Sequence, residues 1–66
     1  MTHQETIDLE IRRLALKYKG NCRALLQLPM MVYRQILEDN KMRKKPYRVG
    51  FNRIQRVIQS MPEVDF

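Results

Sequence analysis

The sequence predicts an all-α fold, a compact bundle of about four short helices with a helix-turn-helix-like C-terminal part. Three observations carry that expectation. Apolar residues recur at helical spacing near both ends of the 66-residue chain. Helix start and stop signals bracket those stripes, and no segment alternates apolar and polar residues for long enough to build a sheet. The composition, 44% hydrophobic and 30% charged, is that of a folded domain rather than a disordered tail. One domain over residues 1–66, with one modest core, is what this length supports.

The first helix is read from Ile7, Ile11, Leu14, Ala15 and Tyr18, which follow an i, i+4, i+7, i+8, i+11 stripe. Thr2 followed by Glu5 has the form of a capping box, which moves the expected start back towards residue 3. Acids early (Asp8, Glu10) and lysines late (Lys17, Lys19) suit the helix dipole, and Gly20-Asn21 reads as a stop.

Cys22 to Leu28 reads as a short second helix with Ala24, Leu25 and Leu28 inward. Pro29 is favoured in the first turn of a helix, so a third is expected from Pro29 to Asp39, burying Met30, Tyr33, Ile36 and Leu37. A single kinked helix from Cys22 to Asp39 is the competing reading. Met30, Met31, Met42 and Met61 are expected as core filler and helix flank, with Met31 and Val32 partly exposed.

Asn40 to Gly50 is expected to be a loop, with one helical turn over 40–44 or a short extended piece at Tyr47 to Val49. The last helix follows. Asn52 and Gln55 have N-cap and capping-box spacing, Ile54, Val57, Ile58 and Met61 form the inward stripe, and Pro62 ends the helix. Glu63 to Phe66 reads as a short tail.

Charge points to a partner. The net charge is +6, and seven of the 13 basic residues lie between Lys41 and Arg56. No acid occurs from Asn40 to Pro62. A positive face of this kind suits a polyanion, although a charge run can also serve only to keep a small protein solvated. Lys41, Arg43, Lys44, Lys45 and Arg48 are the candidate phosphate contacts. Asn52, Arg53, Gln55, Arg56 and Gln59 fall away from the apolar stripe of the last helix. They are the residue types that read base edges, Arg on guanine and Asn or Gln on adenine.

The run Arg48-Val49-Gly50-Phe51-Asn52-Arg53-Ile54-Gln55-Arg56 resembles the Arg-Ile-Gly-Tyr-Asn-Arg-Ala-Ala-Arg motif of FtsK-type DNA translocases. In that family it forms the turn and the start of the recognition helix of the winged-helix gamma domain. The resemblance covers nine of the 66 residues. It implies DNA contacts at Asn52, Arg53 and Arg56, a turn at Gly50, and packing roles for Val49 and Phe51. The sequence departs from the family at Pro46, where the family has continuous helix, and a normal C-terminal wing is not expected; no motor domain is expected either, so translocation is not implied. Gly20 to Leu26 followed by Val32-Tyr33-Arg34 also resembles, more faintly, a Fis-type helix-turn-helix, from which the turn length and Glu38-Asp39 depart.

Other classes find little support. One cysteine, Cys22, and one histidine, His3, fall short of the roughly four ligands of a structural zinc site, and no internal disulfide can form. No glycine-rich phosphate loop and no carboxylate pair in an acid–base setting is present, so neither an enzyme nor a cofactor is expected. No apolar run approaches a membrane span, and the N-terminus lacks the features of a signal peptide, so a cytoplasmic protein is expected. The expected function is that of a small DNA-binding regulator or accessory factor of phage- or plasmid-like size, with duplex DNA as partner and dimerisation through the first helix. The alternatives are a modulator that binds an acidic protein surface through its basic face and Met30 to Val32, and an RNA-binding factor stacking bases on Tyr47.

Overall fold

The computed structural model describes residues 2–21 and 27–64. It is all-helical, and no strand occurs among the described residues. α1 spans His3–Tyr18 and continues into one 3-10 turn at Lys19–Asn21, α2 spans Gln27–Asn40, and α3 spans Phe51–Gln59. Each helix packs against the other two. The short helix expected at Cys22 to Leu28 lies, up to Leu26, outside the described residues, while Gln27 and Leu28 open α2. Three α-helices are therefore described where about four were expected.

α1 starts where its capping signal places it. The Glu5 backbone N–H donates to Thr2 Oγ1 at 3.2 Å, and Thr6 Oγ1 donates to the Thr2 carbonyl at 3.1 Å. This satisfies one of the four donors that a helix start leaves open. Ile7, Ile11, Leu14 and Ala15 are buried as their spacing predicts, with Tyr18 half-buried at the end of the stripe. The stripe offered to a dimer partner is thus spent on the chain's own core.

α2 is rotated from its expected register. Leu28, Pro29, Val32 and Ile36 are buried, whereas Met30 and Leu37 are each 47% exposed and Tyr33 is half-buried. Val32, expected at the surface, has no exposure at all. The segment carries apolar residues nearly all round, so periodicity alone supports two faces that share Ile36. The observed face places compact branched side chains in the core and leaves flexible methionine at its edge. Of the four methionines expected as core filler and helix flank, Met61 is buried, Met31 is half-buried, and Met30 and Met42 are exposed. Pro29 is the third residue of the helix, where its missing N–H removes no intrahelical bond.

The connector between α2 and α3 is ten residues long, 41–50. Its first bonds are tight i→i−3 contacts, from Lys41 N to Glu38 O, Met42 N to Asp39 O and Arg43 N to Asn40 O. It then bends at Lys44-Lys45 and continues to Gly50 without regular secondary structure. Asn40 holds it: its Nδ2 donates to the Tyr47 carbonyl and its Oδ1 accepts from the Tyr47 N–H, both at 2.9 Å. This satisfies both backbone groups of a half-buried residue.

α3 begins two residues earlier than expected. Gly50, not Asn52, is the N-cap, with φ −87° and ψ 159° and no side-chain cap bond. Phe51 opens the helix and packs edge-on against Tyr33 with ring centroids 6.0 Å apart. That aromatic contact sets the start in place of the polar cap. Ile54 and Ile58 are buried, Val57 is partly buried, and the chain beyond Ser60 adds Met61 and Val64 to the core. The tail is therefore structural as far as Val64.

Candidate nucleic-acid interface

Burial of Ile54 and Ile58 fixes which way α3 faces. Residues at i, i+4 and i+7 share one side of a helix, and Asn52, Arg56 and Gln59 form that outward stripe, all exposed. Arg53 and Gln55 sit on its two shoulders and are half-buried. The sequence expectation of a five-residue polar face thus separates into three outward residues and two flanking ones.

The candidate residues are not equivalent. The side chains of Lys44, Lys45 and Arg48 on the connector and of Arg56 on α3 are exposed, and none has an ion-pair partner among the described residues. Lys41 is exposed but lies 3.3 Å from Glu38 Oε2. Such a pair between mobile surface groups is worth little and is readily exchanged for another anion.

Arg43 and Arg53 are held within the fold. The Arg53 Nε and Nη2 donate to Asp8 Oδ1 at 3.2 and 2.9 Å, Nη2 also reaches the Gln4 carbonyl at 3.1 Å, and Nη1 donates to Gln4 Oε1. The guanidinium thereby joins the start of α3 to the first turns of α1. Arg43 lies with its guanidinium carbon 4.0 Å from the centroid of the Tyr47 ring, within ion-pair range of Asp39 (3.7 Å) and Glu10 (3.9 Å). Its Nε is buried without a hydrogen-bond partner. A cation over an aromatic face recovers part of that desolvation cost.

Tyr47, the expected stacking residue, is engaged too. Arg43 covers its ring, His3 meets it edge-on at 5.8 Å, and it packs against the core. In this arrangement its ring serves the fold rather than standing open beside the basic segment.

A local acid also holds Arg13. Arg13 donates to Glu10, and that hydrogen bond, together with the carboxylate charge, raises the Arg13 guanidinium above its ordinary pKa. The glutamate thus meets one arginine from its own helix and approaches a second, Arg43, from the connector. The acids on α1 and α2 consequently neutralise Arg13, Arg43 and Arg53, leaving the cations of 44–56 other than Arg53 facing solvent.

Two partners escaped the sequence reading. Gln4 and Asp8 stand one turn apart on the flank of α1, off its apolar stripe. The available signal was their i, i+4 spacing in a chain with only seven acids. Nothing in the sequence pairs them with Arg53, which lies 49 and 45 positions away. No helix among the described residues is long and apolar enough to cross a membrane. No group of three or more potential metal ligands occurs among those residues.

Comparison with protein-family models, with characterised proteins and with solved structures finds no match for this chain.

Proposed function

We propose that this chain is a small DNA-binding regulatory or accessory protein that presents the outward stripe of α3 to the duplex. The observation that carries the reading is the set of exposed cations Lys44, Lys45, Arg48 and Arg56, without an ion-pair partner among the described residues, in a segment with no acid from Asn40 to Pro62. Lys44, Lys45 and Arg48, with Lys41 after exchange of its surface partner, supply phosphate contacts. Asn52 and Arg56 offer amide and guanidinium groups to purine edges, with Gln55 at the shoulder and Gln59 further along. Arg53 acts in this scheme as the brace that holds α3 at its angle to α1. The uncapped backbone N–H groups that follow Gly50 add a positive dipole end beside the basic connector.

The scheme uses α3 as a recognition helix without the short turn of a helix-turn-helix. Such a turn has about three or four residues, whereas α2 and α3 are joined here by ten. The basic connector occupies that extra length.

The test is fluorescence anisotropy against random duplex DNA, an RNA hairpin and single-stranded DNA at two salt concentrations. Arg48→Ala/Arg56→Ala is expected to abolish duplex binding at moderate salt while far-UV CD stays unchanged. Each lost phosphate contact reduces the log–log salt slope by about 0.9. Absence of salt-sensitive binding by the unmodified chain sinks the proposal.

One observation favours a second reading, a protein-binding modulator. Met30 is exposed beside Met31, Gln27 and Arg34 at a shallow apolar groove on α2. Loss of a protein partner on Met30→Ser, with nucleic-acid binding absent, would support that reading instead.

A further inference from the structure

The side of α1 turned away from the core carries an unusual stripe. Glu5, Leu9, Arg12 and Leu16 follow i, i+4, i+7 and i+11, which confines them to an arc of about 60° on a helix of 3.6 residues per turn. That arc lies opposite Ile7, Ile11 and Leu14, the residues that meet α2 and α3. Leu9 is 50% and Leu16 43% exposed, both large apolar side chains on the outermost face of the domain. Glu5 and Arg12 are exposed beside them, and neither has an ion-pair partner among the described residues. The neighbouring Asp8, Glu10 and Arg13 are all paired.

The stripe contains its own complement. Along the axis Glu5 lies about 6 Å to one side of Leu9 and Arg12 about 4.5 Å to the other, at 1.5 Å per residue. We propose that α1 pairs antiparallel with α1 of a second copy of this chain, about a two-fold axis beside Leu9. Leu9 then meets its counterpart, Glu5 of each copy meets Arg12 of the other, and Leu16 of each copy covers the helix start of the other. A two-fold contact uses the same patch twice, so both ion pairs form together. Parallel pairing would set Glu5 against Glu5 and Arg12 against Arg12, and that repulsion selects the antiparallel arrangement. This inference does not depend on the nucleic-acid reading.

Sedimentation equilibrium on the full chain tests it directly. At high micromolar concentration the mass is expected to rise towards twice the 8.0 kDa of one chain. Glu5→Arg and Arg12→Glu, each replacing two attractive contacts by repulsive ones, are expected to weaken self-association by about tenfold or more. Mixed in equal amounts, these two variants restore association, because each then presents the charge that the other lacks. Leu9→Lys abolishes association without rescue, and far-UV CD reports the fold of each variant. A chain that stays monomeric at every concentration overturns the proposal. So does self-association that neither charge reversal weakens, or a variant mixture that fails to recover.

Discussion

Arg53 of α3 and Asp8 of α1 are joined by two hydrogen bonds, at 3.2 and 2.9 Å, both to one carboxylate oxygen. The pair is partly exposed, 31% for the arginine and 41% for the aspartate side chain, so solvent screens it and its worth is modest. The Gln4 contacts add to it. Arg53→Ala is expected to cost about 1 kcal/mol, a drop in Tm of about 4–8 °C for a domain of this size. A thermal-melt double-mutant cycle with Asp8→Asn should return a positive coupling. Additive effects would show that the two groups contribute independently.

Asn40 anchors the connector to α2 with an amide that both donates and accepts. Asn40→Ala leaves the Tyr47 N–H and carbonyl without those partners, at a cost of about 1–3 kcal/mol each where water does not replace them. Asn40→Asp keeps an acceptor for the N–H but turns a second acceptor towards the Tyr47 carbonyl. It should therefore fail to rescue stability in urea denaturation, and a fully stable Asn40→Asp would remove the pairing from the account.

Gly50 is an N-cap without a cap. Its backbone is at an ordinary negative φ, and a Cβ there would meet no atom within 4 Å. Gly50→Ser should therefore stabilise the domain by a few tenths of a kcal/mol, about the difference between the two residues at this position. Differential scanning calorimetry would register a higher Tm, and a fall would mean that the start of α3 is placed otherwise.

The register of α2 separates two leucines of the same helix. Leu28 is fully buried and Leu37 is 47% exposed. Leu28→Ala should cost about 2–5 kcal/mol, enough to unfold a domain this small or nearly so. Leu37→Ala should stay within about 0.5–1 kcal/mol. The reverse order in chemical denaturation would restore the register that Met30, Tyr33 and Leu37 suggest on sequence alone.

What could be read ahead of the structure follows from how one-sided each segment is. α1 and α3 place apolar residues on one side and charged or amide residues on the other, so period and burial agree at Ile7, Ile11, Ile54 and Ile58. α2 has apolar residues at 28, 30, 31, 32, 33, 36 and 37, and its register is decided by packing against α1 and α3. At the candidate interface, residue type identified the cations but not which of them the fold pairs. Arg43 and Arg53 find acids on helices distant in sequence, whereas Lys44, Lys45, Arg48 and Arg56 find none among the described residues. The start of α3 shifted because the Phe51–Tyr33 contact outranks the polar cap that Asn52 offered.

The bond from Asn40 to Tyr47 bears on the entropy of association. A free ten-residue linker would have to surrender its conformational freedom when its cations settle on a ligand. Here Tyr47 is anchored midway along the connector by Asn40, Arg43 and the core. Lys45 and Arg48 project from positions on either side of that fixed point. Much of the ordering cost is thus met during folding, and a rigid arm binds with less entropic penalty than a floppy one of equal charge. If the chain binds a polyanion as proposed, loosening the arm at Asn40, with every cation retained, should weaken that binding and hasten release in an anisotropy titration.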